Sequence, residues 1–239
     1  MDFAEISLFS HLVSRPEADL DLARAALLIA EPEYPGLDVA RYIEELDKLG
    51  AGAAARINAA QQRTPLETVV RYLYEELGFH GNTRNYYDPR NSFLAQVLDR
   101  KIGIPISLSV LYLEVARRLG LGAAGVGFPG HFLVRVDGGI RPLILDPFGG
   151  GAALDRPDLE ALLVRASGPD ARLEDVSLAA TPKRAILVRM LNNLAGIYGR
   201  DGDTERSIEV LERIAVLDPT DARVAAALER LNRLVASLN

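Results

Sequence analysis

Gly103-Ile104-Pro105-Ile106-Ser107-Leu108-Ser109-Val110-Leu111-Tyr112-Leu113-Glu114-Val115-Ala116-Arg117-Arg118-Leu119-Gly120 is the stretch whose reading decides the fold. The Gly-Ile-Pro turn opens it, and the chain beyond reads as a helix from Ser107 to Leu119, stopped by Gly120. Its apolar side chains lie nearly all round the helix. A surface helix is apolar on one stripe only, so this one is expected to be the buried centre of its domain.

Downstream the period changes from helical to strand-like. Gly122 to Gly127, His131 to Val136 and Pro142 to Leu145 are short β-type runs separated by Gly/Pro turns, including Asp137-Gly138-Gly139. In the second run Phe132, Val134 and Val136 alternate with Leu133 and Arg135, which predicts one buried face and one that is polar at Arg135. A helix from about Asp158 to Arg165 follows, then a linker from Gly168 to Thr181. A buried helix beside a small sheet is an α+β arrangement.

Upstream, residues 1–78 read as a helical segment packed on this core. Asp19 to Ile29 is Ala/Leu-rich, and a longer helix runs from Leu37 towards Ala60 with Val39, Ile43, Leu46 and Leu49 on one stripe. Thr64-Pro65-Leu66-Glu67 is a capping-box start for a helix ending near Gly78. His80 to Pro89 is a polar loop, after which Asn91 or Ser92 is expected to cap a helix through Arg100.

From Thr181 the chain is helical again. Leu194, Ala195, Tyr198, Gly202, Ser207, Leu211 and Pro219 fall at the spacing of one tetratricopeptide repeat of about 34 residues. Small residues sit where two helices cross, and Gly202 turns the corner. A single repeat cannot bury its own faces, so it must pack on the preceding domain or on a final helix, Ala222 to Leu238. The expected segments are 1–78, 79–170 and 181–239.

Composition narrows the function. Hydrophobic residues make up 49% and charged residues 25%, ordinary globular values. Net charge is -6 and no basic block is visible, which argues against nucleic acid as a partner. There is no cysteine, which excludes disulfides, thiolate metal sites and a thiol nucleophile. The acidic start Met1-Asp2-Phe3-Ala4-Glu5 is unlike a signal peptide, and no run approaches the ~18 apolar residues that span a bilayer. The expectation is a cytoplasmic protein with no membrane partner.

Three residues could carry chemistry: Ser107 at a helix start, His131 opening a strand after Gly130, and Asp146 ending the next strand. A helix end favours developing negative charge, and neighbouring strands can bring a carboxylate to an imidazole to fix its tautomer. The stretches Asn91-Ser92-Phe93-Leu94, Gly103 to Ser109, Gly130-His131-Phe132-Leu133-Val134 and Leu145-Asp146-Pro147-Phe148 together resemble the transglutaminase-like core of the bacterial SirB-type family. That resemblance implies a papain-like fold with helices before it and a tetratricopeptide repeat after it. It also implies a Cys-His-Asp site: His131 and Asp146 match the His and Asp places, and the Cys place falls at or next to Ser107, with Ser109 the alternative. Asn91 is a candidate oxyanion donor.

Serine in place of cysteine matters. A thiol of pKa about 8.5 can lose its proton to a nearby imidazole, whereas a hydroxyl needs general-base removal during attack and a well-formed oxyanion site. Each candidate also has a structural reading: Ser107 and Asn91 as helix caps, Asp146 as a turn former, His131 as a core histidine, Tyr86 and Tyr87 as packing before cleft lip. His11 and His80 read as surface or packing residues, and no metal or cofactor is expected. Two functions follow. The first is a non-catalytic module that binds a protein or peptide through the repeat or the cleft. The second is a serine-dependent hydrolase or acyltransferase on an amide or ester.

Overall fold

A computed structural model describes residues 3–59, 64–137, 142–174 and 178–238. Four helices come first: α1 (Phe3–Val13), α2 (Leu22–Leu28), α3 (Val39–Ala59) and α4 (Pro65–Val70), the last continuing as a wider π-type turn over Arg71–Glu76. The Ala/Leu-rich helix thus starts at Leu22 rather than Asp19, because Glu17–Asp19 forms a separate 3-10 turn after Pro16. Thr64 and Glu67 form the expected capping box: the Glu67 amide donates to Thr64 Oγ1 at 3.2 Å, and the Thr64 amide donates to Glu67 Oε2 at 3.0 Å.

The polar loop holds a strand that the sequence did not announce. β1 (His80–Gly81) pairs in parallel with β2 (Ile102–Gly103), two residues against two. Between them lies α5 (Leu94–Arg100), whose cap position is taken by Phe93, not by Asn91 or Ser92. Asn91 has a tertiary task instead. Its Nδ2 donates to the carbonyls of Asn85 and Tyr86 at 2.8 and 3.2 Å, closing the loop before it.

α6 (Pro105–Arg118) is the central helix, and every residue from Pro105 to Ala116 is buried. It begins two residues before the expected Ser107, because Pro105 suits the first helical position. Ser107 therefore stands inside the first turn rather than at the cap. A four-stranded antiparallel meander follows: β3 (Ala123–Val126), β4 (Leu133–Val136), β5 (Leu143–Asp146) and β6 (Ala152–Leu154), hydrogen-bonded in that order. Val134 pairs with Gly125 on one side and Leu145 on the other. The Gly138-Gly139 part of the β4–β5 turn lies outside the described residues.

The alternation in β4 serves two cores. Phe132, Val134 and Val136 join the main core with α6. Leu133 turns the other way, into a second apolar cluster with Val126, Phe128, Ile144 and two residues of α7 (Arg156–Ser167), Leu159 and Leu163. Helices thus cover both faces of the sheet, and Arg135 keeps a polar edge, ion-paired to Asp137 at 3.3 Å.

The chain ends in α8 (Lys183–Asp201), α9 (Thr204–Leu217) and α10 (Ala222–Leu238). Gly202, at φ 73°, takes the left-handed conformation that closes α8. These helices add to the main core: Phe9, Leu27, Leu111, Leu187 and Ile214 belong to one cluster that runs from Phe9 to Val224. A hydrogen bond from Tyr198 Oη to Glu33 at 2.8 Å ties α8 to the segment after α2. No described helix is long and apolar enough to cross a membrane.

Candidate functional site

Gly130 sets the position of His131. With φ at +65° and with Ala166 Cβ only 2.9 Å from where its own Cβ would stand, this position has no room for a side chain. The turn closes when the His131 amide donates to the Phe128 carbonyl at 3.1 Å. His131 then sits two residues ahead of β4, not within it. Asp146, the last residue of β5, receives a hydrogen bond from the Phe148 amide on Oδ1 at 3.0 Å.

The two side chains meet. His131 Nε2 lies 2.8 Å from Asp146 Oδ1, and both groups are mostly buried. In the tautomer that donates from Nε2 to this oxygen, Nδ1 is the acceptor; Nδ1 bonds no group among the described residues. Phe148 packs edge-on against the imidazole, with centroids 6.0 Å apart, and Tyr86 stands beyond Phe148 at 6.1 Å. This arrangement can orient an imidazole and present one nitrogen to a ligand.

Neither serine is in that arrangement. Ser107 Oγ donates to the Asn91 carbonyl at 2.6 Å and accepts from the Ile104 amide at 3.0 Å. Ser109 Oγ donates to the Phe132 carbonyl at 3.3 Å, and both serines are 0% exposed. Asn91 is also 0% exposed, and its amide is occupied by Asn85 and Tyr86. The residues of α6 that face the cavity with His131 are Pro105 and Ile106.

That cavity, about 160 Å3, is completed by groups the sequence did not single out. Arg189 and Asn193 reach it from α8, and Tyr86 also lines it. Arg189 Nη2 donates to the carbonyl of Phe128 at 2.8 Å and also to that of His131, so α8 holds the turn that carries the imidazole. Burial lowers the pKa of Arg189, with the nearby Tyr86 phenol opposing the change. A second cavity of about 340 Å3 shares Tyr86 and Asn193 and extends along α8 past Gly196 to Arg200, under Tyr87. Arg200 lies over the Tyr87 ring, 4.0 Å from its centroid.

A larger cavity, about 610 Å3, lies elsewhere, between Leu20, Glu114, Gly122 and Lys183. Its charged groups already serve the fold. Glu114 pairs with Arg117 and Arg118, and Lys183 Nζ donates to the carbonyls of Ala18 and Leu20. Among the described residues no three His, Asp or Glu side chains gather as a metal-ligand set. His80 Nδ1 lies 2.9 Å from the Gly78 carbonyl.

A buried helix whose first turn faces a His-Asp pair beside a small antiparallel sheet is a transglutaminase-type core. The chain belongs to the transglutaminase-like superfamily, whose family model matches residues 40–192. Among curated relatives it resembles a UPF0162 protein of Xylella fastidiosa, 41% identical over 224 residues that cover 90% of this chain and 78% of that one. A UPF0162 protein of Vibrio cholerae is 33% identical over 176 residues, 73% of this chain and 63% of the relative. Human F-box only protein 21 is 32% identical over 161 residues, which is 64% of this chain and 25% of that protein. No solved structure matches.

Proposed function

We propose that this protein is a non-catalytic member of its superfamily, which uses the retained cleft to bind a peptide or protein segment. One observation carries this: the helix turn facing the His131–Asp146 pair offers Pro105 and Ile106, neither of which has a nucleophilic atom. A covalent mechanism needs a nucleophile within hydrogen-bond reach of its base. The nearby hydroxyls of Ser107 and Ser109 are enclosed and bonded to backbone carbonyls. The pair that would serve a thiol remains as a fixed polar feature in the cleft wall. We read α8 and α9 as one tetratricopeptide-type hairpin, with Gly202 at its corner and Ser207 buried at the crossing, which gives the cleft a helical second wall.

The serine-hydrolase reading requires Ser107 Oγ to leave Asn91 and turn towards the cavity. A fluorophosphonate probe distinguishes the two. The expected result is no labelling above that of the heat-denatured protein, together with a shift of the His131 imidazole signals in 1H–15N spectra when a peptide mixture is added. Labelling that disappears in Ser107→Ala or Ser109→Ala would establish the hydrolase instead.

A further inference from the structure

We infer that the groove between α8 and the Tyr86–Tyr87 loop takes an extended acidic peptide, with one carboxylate at Arg189 beside His131 and a second at Arg200. This rests on the cleft being a peptide site and adds the charge and length of what it takes. The two cavities share Tyr86 and Asn193, so they adjoin along α8. Arg189, Asn193, Gly196 and Arg200 recur at four- and three-residue steps, so a single face of α8 makes their wall. Arg189 and Arg200 are separated by about 16 Å, at about 1.5 Å per residue. That is about five residues of extended chain.

Charge sets the chemistry of the occupant. Among the described residues no Asp or Glu lines either cavity, though Asp146 is bonded to the His131 that does, and the whole chain carries -6. Arg189 is partly buried, and its only hydrogen-bond partners among the described residues are the carbonyls of Phe128 and His131. A guanidinium withdrawn from water without an anion is an unbalanced charge, and a ligand carboxylate accepting from Nη1, which bonds no protein group among the described residues, would balance it. At the other end the carboxylate near Arg200 is Asp201, its exposed chain neighbour, at 3.5 Å. A pair so open to water is weak and readily exchanged.

Two further features suit a peptide backbone. The side-chain amides of Asn192 and Asn193 bond no protein group among the described residues, and an amide offers both a donor and an acceptor to a peptide unit. Gly196 lies inside α8, yet a Cβ there would meet nothing within 4 Å. Packing within the chain does not call for glycine, and glycine is a poor helix former. Its absent side chain leaves room for a backbone on the groove wall.

The test uses the full chain on an array of random heptapeptides, followed by anisotropy titration of the selected peptides and their Asp→Asn or Glu→Gln isosteres. The expected selection is for two acidic residues about five apart. Isosteres should bind at least about tenfold more weakly, a loss of the order expected for one charge-assisted pair. Arg200→Gln, at an exposed site, should remove the preference at one end, Arg189→Gln at the other, and Gly196→Leu should block binding. Selection of peptides without acidic preference overturns this inference and leaves the peptide cleft standing. Selection of none overturns both. Unchanged affinity in Arg200→Gln and Arg189→Gln, with melting curves showing both folded, places the site elsewhere and overturns it too.

Discussion

Ser107 and Asn91 are joined by a 2.6 Å hydrogen bond from a side-chain hydroxyl to a backbone carbonyl, across the gap between the central helix and the loop before α5. The same oxygen accepts from the Ile104 amide at 3.0 Å. The hydroxyl therefore acts as a staple holding β2, α6 and the Asn91 loop together. Ser107→Ala would leave a donor and an acceptor unsatisfied in the interior, at a cost of about 1–3 kcal/mol. Urea unfolding measures it, and a change under about 0.5 kcal/mol, typical of an inert surface site, would show that Ser107 is no staple.

The facing of the α6 turn can be tested by placing a thiol at each position in this cysteine-free chain. Ile106→Cys puts a thiol at the start of α6 in the His131 cavity, where the helix end and the imidazole favour a thiolate. Its alkylation by iodoacetamide should show an apparent pKa below the ordinary value of about 8.5. Ser107→Cys should stay unreactive until the protein is denatured. Faster reaction at 107 than at 106 would reverse the assignment of the cavity-facing position.

Gly196→Ala should stabilise the protein while filling part of the groove. Glycine inside a helix costs about 0.5–1 kcal/mol relative to alanine, and the added methyl meets open space. The urea midpoint should rise accordingly. A fall would mean that the position carries a contact the fold requires.

Asp88 should contribute to acid sensitivity. Burial raises its pKa, but hydrogen bonds from the Arg90 side chain and amide and the charges of Arg90 and Arg100 outweigh this and hold it below the usual carboxylate range. Its proton therefore binds the unfolded chain more readily than the folded one. The stabilisation is present above about pH 4 and is lost as pH falls through the lower folded value. Asp88→Asn removes that dependence, so stability of the variant should decline less steeply below about pH 4. Parallel curves for the two proteins would show that Asp88 is not linked to unfolding.

Much of the fold is legible where local chemistry decides it. The Thr64–Glu67 box names its own helix start, and the all-round apolar character of Leu108 to Ala116 names the buried centre. Pro105 could have announced the start of α6; giving the cap to Ser107 displaced that serine from the first turn it occupies. β1 and β2 were not visible because two residues per strand carry no period, and β6 follows a glycine run with only three. Asn91 reads locally as a cap, and only the folded loop shows its amide committed to Asn85 and Tyr86. His131 and Asp146 were legible as strand-end polar residues, and the structure joins them. Arg189 and Asn193 were not, because a helix read as a repeat gives no sign of which pocket it will wall.

Arg189 grips the carbonyls of Phe128 and His131 from a helix that begins only at Lys183. A fragment ending in the linker before α8 would keep the imidazole and its carboxylate but lose the clamp on their turn and one side of the cavity. Whatever such a shortened piece did or failed to do in a tube would describe a different object from the intact polypeptide. Surveys that compare members of this superfamily by their core alone would, for this chain, omit part of the cavity they set out to compare.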